Sequence, residues 1–175
     1  LLLNEECVLK VADFGLARTV KDAEKANAES SVLTDYVATR WYRAPEIILG
    51  STSYTKAVDM WALGCIVAEM FTGKPLLPGS STVDQLDKIL DTCGRPDDEA
   101  IAAMESKFAK EMISTRCSSN DRAPADAAYR LKMLTKMMRG MAPNVDDQVI
   151  DLVSGMLDIN PKTRTTVEGA LAHPW

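Results

Sequence analysis

The run TKAVDMWALGCIVAEMFTG, residues 55–73, constrains the fold more than any other stretch of the chain. Val58, Met60, Trp61, Leu63, Ile66, Val67, Met70 and Phe71 sit at helical spacing but fall on nearly every side of that helix. A helix apolar almost all round is buried rather than laid on a surface, so the rest of the chain has to wrap it. Gly73 supplies a C-terminal stop, and Pro75 follows it. Further helices are expected near 82–92, 98–113, 127–139, 146–158 and 166–172. Ahead of them, residues 1–3 and 8–11 read as two short strands pairing across NEEC, with Val8, Leu9, Val11 and Ala12 buried. Residues 17–43 carry Ser, Thr, Asp and Arg without a sustained period and read as a loop. Loops of that length in compact domains are usually functional or disordered. The fold class is therefore α+β, mostly helical with a short β-hairpin at the N-terminus.

Composition limits what such a chain does. At 175 residues it is about one domain. It is 46% hydrophobic and 26% charged, ordinary for a core-forming protein. A net charge of −5 disfavours a general binder of nucleic acid or anionic membrane. Cys7, Cys65, Cys93 and Cys117 form no C-x-x-C pair, so zinc and thioredoxin-like chemistry have little support. Reduced thiols point to the cytoplasm or nucleus. No apolar run reaches the length of a membrane span. Met133, Met137, Met138 and Met141 read as core or groove packing. His173, the only histidine, reads as ending a helix rather than binding metal.

The chemistry lies in four motifs in a fixed order. Asp13-Phe14-Gly15 follows a strand-like run, and a carboxylate there is costly to desolvate unless something pairs with it. TDYVATRWYRAPE spans residues 34–46. DMWALGC places Asp59 near the start of the apolar helix, and NPKTRTTVEGALAHPW carries Arg164. In this order and spacing they resemble the C-terminal lobe of a eukaryotic protein kinase. The WYRAPE form resembles the proline-directed group that includes mitogen-activated and cyclin-dependent kinases. Thr-Asp-Tyr resembles the T-x-Y dual phosphorylation motif of the mitogen-activated kinases, and the wording around it is most similar to their divergent, self-activating branch.

The resemblance implies that residues 1–175 are a partial kinase domain starting just after the catalytic loop. The glycine-rich loop, the strand lysine and the catalytic base are not found in this sequence. The 175 residues alone are expected to be inactive. In the whole protein, Asp13 is expected to hold Mg²⁺ against the phosphates of ATP. Leu2 and Ala12 resemble the floor of the adenine pocket, although a plain core role fits them equally. Thr34 and Tyr36 are the expected activation phosphosites. Arg18 is expected to serve the phosphothreonine, and Arg40 and Arg43 the phosphotyrosine, since guanidinium suits bidentate phosphate contact. Thr39 is expected to support the catalytic base, and Val37–Arg43 to shape the pocket for a proline after the target Ser/Thr. Asp59 is expected to accept backbone hydrogen bonds from the catalytic loop, and Glu46 to pair with Arg164 in a buried bridge.

Glu5 and Glu6, in the hairpin turn, read either as solvated or as the border of a groove for basic docking peptides. The expected partners are protein substrates with Ser/Thr-Pro sites, with an upstream kinase or self-phosphorylation as activator. Two alternatives stay open at this level. One is a cyclin-dependent-kinase-like or ciliary relative, since some of those also carry T-D-Y or T-E-Y. The other is a non-catalytic pseudokinase or docking module.

Overall fold

The computed structural model describes residues 2–15, 17, 40–51, 53, 55–117 and 122–175. Two strands open the chain, β1 (Leu2–Leu3) and β2 (Leu9–Lys10), paired antiparallel with Leu2 opposite Lys10 and Leu3 opposite Leu9. The turn between them is closed by Cys7 N–H donating to Asn4 O at 3.0 Å and Val8 N–H donating to Asn4 Oδ1 at 2.8 Å. After a 3-10 turn at Arg40–Tyr42 come α1 (Pro45–Ile48), α2 (Ala57–Thr72) and α3 (Thr82–Cys93). Then follow α4 (Asp98–Ala103), α5 (Ala109–Arg116), α6 (Ala127–Met141), α7 (Asp147–Met156) and α8 (Val167–Leu171). The expected architecture, mostly helical with a short N-terminal hairpin, is the one observed.

Local chemistry sets the helix ends. Ser81, Asp97, Asp126, Asp146 and Thr166 each accept a backbone N–H from the first turn of the helix they cap. Each such side chain satisfies one of the orphan donors of a helix start. Gly73 ends α2 at φ 68, in the left-handed region that suits glycine.

The core forms where α2 meets α6 and α7 and where α3 packs against α6. Trp61, Leu86, Ile89, Leu90, Leu134, Met138, Ile150 and Leu157 are essentially fully buried. Met138 thus packs in the core, and Met137 and Met141 lean against it. Gly64 on α2 packs closely against the end of α7. A Cβ there would lie 2.8 Å from Met156 Cβ and 3.1 Å from Leu157 Cδ2. Gly64→Ala is therefore expected to lower stability by about 1–3 kcal/mol through overpacking, read as a lower denaturant midpoint with an unchanged slope.

Four expectations change. The helix over 55–73 is not buried all round: Met70 is 76% exposed, and Leu63 and Phe71 are also open on the same element. Its other side carries the contacts with α6 and α7, so a helix apolar all round is buried by its neighbours on one side only. The expected helix over 98–113 is two helices, interrupted between Met104 and Phe108, where Glu105 takes φ 49. The loop read over 17–43 ends in a 3-10 turn, and a further helix forms at Pro45–Ile48, where Pro at the first position presets φ for it. The hairpin is not buried either. Val8, Leu9, Val11 and Ala12 are exposed, because the strands pair with each other and leave both faces open.

Among the described residues, no helix is long and apolar enough to cross a membrane. All four cysteines are free; Cys65, Cys93 and Cys117 are buried and Cys7 is exposed. Burial pushes the Cys65 and Cys93 thiols up to about 12, so both stay protonated and inert at neutral pH.

Candidate functional site

Arg164 organises the best-defined part of the site. It stands in the segment between α7 and α8, and Glu46 in the first turn of α1. Arg164 Nη1 donates to Glu46 Oε1 at 2.7 Å and Nη2 donates to Glu46 Oε2 at 2.9 Å. Nη1 also donates to Ala57 O at 2.8 Å, and Nε donates to Asp158 O at 2.8 Å. The guanidinium lies 5.1 Å from the centre of the Trp61 ring. The two side chains are 0% and 3% exposed. The bidentate pair thus joins residues 118 positions apart and ties α1 to the start of α2.

Just ahead of α1, the 3-10 turn is fastened by its side chains. Trp41 Nε1 donates to Gly79 O at 2.9 Å, and the Tyr42 hydroxyl donates to Glu69 Oε2 at 2.6 Å. That bond to a carboxylate, with partial burial, pushes the Tyr42 hydroxyl up to about 12. Arg40 Nη1 donates to Ser80 O at 3.4 Å. Arg43 N–H closes the turn on Arg40 O at 3.1 Å. Arg40 and Arg43, three residues apart, therefore belong to one turn held against α2 and the loop before α3. Sequence reasoning gives Tyr42, Glu69, Trp41 and Gly79 no individual role. The signal for Trp41 and Tyr42 is their place inside WYRAPE; for Glu69 and Gly79 there is none.

At the other end of the chain, Asp13 takes φ 65, a left-handed conformation that Asp tolerates better than most residues. Its Oδ1 faces Gly15 N at 3.4 Å, and its carboxylate is exposed. Among the described residues, no group of three or more His, Cys, Asp or Glu could hold a metal ion. A lone exposed carboxylate does fit Mg²⁺, a hard cation usually held by one or two carboxylates together with substrate phosphates.

The remaining expected residues divide as follows. Leu2, in β1, and Ala12, just past β2, are exposed. Glu5 and Glu6 are exposed in the turn. Asp59 is exposed in the first turn of α2. His173 follows α8, with Nε2 3.2 Å from Asp151 Oδ2. Arg18, Thr34, Tyr36 and Thr39 lie outside the described residues. The structure thus brings together Glu46 and Arg164, and sets Arg40 and Arg43 on the turn beside them.

This arrangement, an Ala-Pro-Glu helix start clamped by a distant buried arginine under a helical body, coincides with a family assignment. The protein kinase domain model matches residues 1–175, and the chain belongs to the protein kinase domain family. Its relatives point to one branch. It is 48% identical to Extracellular signal-regulated kinase 2 of Dictyostelium discoideum, over all of this chain and 44% of that protein. It is 41% identical to Mitogen-activated protein kinase 15 of Xenopus laevis, over all of this chain and 28% of that one. Among solved structures, a Map kinase from Leishmania major gives a TM-score of 0.62 at 36% identity, over 79% of this chain and 41% of the other. The chain spans less than half the length of these relatives.

Proposed function

We propose that the whole protein is a proline-directed Ser/Thr protein kinase of the mitogen-activated type, which transfers the γ-phosphate of ATP to protein substrates and is switched on by phosphorylation of Thr34 and Tyr36. The observation that carries this reading is the stretch TDYVATRWYRAPE, whose second half is clamped onto the helical body by Glu46 and Arg164.

In this reading Asp13 holds Mg²⁺, which offsets charge on the ATP phosphates. The clamp and the 3-10 turn fix the downstream anchor of the activation segment. Arg40 and Arg43, both on that turn, are the cations that would meet the phosphate on Tyr36. Each phosphate adds roughly −1.5 to −2 charge and three strong acceptors, enough to order a segment when cations await it. Val37–Arg43 shape the pocket for the residue after the acceptor. Proline suits a site that leaves a backbone N–H no partner. Exposed Glu5 and Glu6 suit basic docking segments of substrates or activators, and the reading carries a cytoplasmic or nuclear location. The 175 residues alone are inactive in this account.

The test is steady-state kinetics of the whole protein, unphosphorylated, singly and doubly phosphorylated, on paired Ser-Pro and Ser-Ala peptides. Thr34→Ala and Tyr36→Phe are each expected to lower kcat/KM by about 10²-fold or more, as expected when positioning is lost, with ATP affinity less affected. Full activity of Tyr36→Phe would instead favour control by a single phosphosite, as in a cyclin-dependent-like relative. Equal use of both peptides would remove the proline-directed part.

A further inference from the structure

The 3-10 turn is held to the helical body through a tightly enclosed glycine. Trp41 Nε1 donates to Gly79 O at 2.9 Å from one side. From the other, Gly79 N–H is shared between Gln85 Oε1 at 3.1 Å and Leu77 O at 3.0 Å. Gln85 lies in the first turn of α3 and is 0% exposed. Both polar backbone groups of Gly79 are therefore occupied, one by α3 and the other by the turn.

The contact leaves no slack. A Cβ at position 79 would lie 2.5 Å from Gln85 Oε1, 2.7 Å from its Cα and 2.8 Å from its Cβ. The last two atoms cannot rotate away, so only glycine fits. The loop is pinned from α3 a second time, by Ser80 N and Oγ donating to Asp84 Oδ2 at 2.7 and 2.9 Å. Gln85 Nε2 is buried without a hydrogen-bond partner among the described residues. A buried donor left unmade is costly. Flipping the amide would set that donor against Gly79 N–H and lose the acceptor, so the orientation at Gly79 is the one the site retains. Arg40 adds only a long, exposed bond to Ser80 O.

We propose that Trp41, Gly79 and Gln85 form a positioning latch. It sets the height and tilt of Arg40–Arg43 on the helical body, and through that turn the pocket for the residue following the phosphorylated Ser/Thr. Its consequence for substrate rests on the kinase reading above; its positional part rests on the contacts alone. None of the three touches a reacting atom.

Two readouts on the whole protein separate these parts. The variants are Trp41→Phe, which removes the indole N–H, Gln85→Met, which removes the acceptor, their double mutant, and Gly79→Ala. Amide hydrogen exchange over residues 40–43 is expected to speed up about five- to tenfold in each single variant, the worth of one hydrogen bond, while residues 57–72 keep their protection. On a Ser-Pro peptide, KM is expected to rise about tenfold for Trp41→Phe and Gln85→Met, and more than kcat falls. For Gly79→Ala the loss is expected to reach about a hundredfold, the scale of a displacement near 1 Å. ATP KM should stay within about twofold, because the latch lies on the peptide side. The double mutant should resemble the worse single variant, since both bonds act through one glycine. Unchanged exchange over 40–43 overturns the latch, as does a parallel loss of protection over 57–72, or strict additivity in the double mutant. Should Gly79→Ala not fold, the other two variants decide. If the wild type phosphorylates no Ser/Thr peptide, the kinase reading fails, and exchange still decides the latch.

Discussion

Asp13→Ala should abolish phosphoryl transfer by the whole protein, with kcat falling about a thousandfold or more, equivalent to roughly 4 kcal/mol of lost charge stabilisation. The expectation follows from the Asp13-Phe14-Gly15 motif, whose carboxylate is exposed and set on a left-handed backbone at φ 65. In the proposed mechanism Asp13 is an oxygen ligand of the cation that offsets the charge of the phosphates, so its loss falls on the chemical step. Two measurements check it. Single-turnover kinetics give the chemical step, and calorimetry of ATP binding with and without Mg²⁺ gives the metal's contribution. Wild-type metal dependence of binding in Asp13→Ala would remove Asp13 from the metal site. Alanine tolerates the left-handed backbone less well than aspartate, so melting is expected to fall slightly while the fold is kept.

Arg164→Ala should act in the opposite way, on stability first. The guanidinium makes two bonds to Glu46 and two to backbone carbonyls, and the pair is almost fully buried. Removing one partner leaves a buried charge uncompensated, which costs about 3–5 kcal/mol. Glu46→Gln should cost a similar amount by leaving Arg164 unpaired. For a domain of this size that is a fall of roughly 6–20 °C in Tm. The double mutant should lose less than the sum, because the second change removes the charge that the first one stranded. Strict additivity in chemical denaturation would show that the two side chains do not act as a pair. Replacing both by apolar residues of similar volume should recover much of the loss, since a buried pair contributes less than its breaking costs.

The two experiments separate the legible parts of this protein from the rest. Asp13, Glu46 and Arg164 each stand out from motif and order along the chain, and the structure pairs Glu46 with Arg164. Helix positions are legible too, because capping residues such as Ser81, Asp126 and Thr166 and the stop at Gly73 act within a few residues of themselves. Local hydrogen bonds and backbone preference determine these features, and both are written in short stretches of sequence.

Other features depend on what lies opposite in space. Hydrophobicity alone suggests that α2 is wrapped on all sides and that the hairpin is covered, yet Met70, Phe71 and the strand residues are open. Periodicity reports which residues can be buried, not whether a neighbour arrives to bury them. The break between α4 and α5 has no clear sequence signal, because Glu105 at φ 49 is no obvious breaker. The Trp41–Gly79–Gln85 contact is invisible for a related reason. It joins positions 38 residues apart through a backbone carbonyl, which every residue carries and which therefore leaves no mark in the sequence. The sequence by itself determined most of the helices, the stop at Gly73 and the order of the chemical groups. Only the tertiary structure decided which faces are covered and which glycine carries the turn, because burial and close approach depend on pairs of distant segments and not on either segment alone.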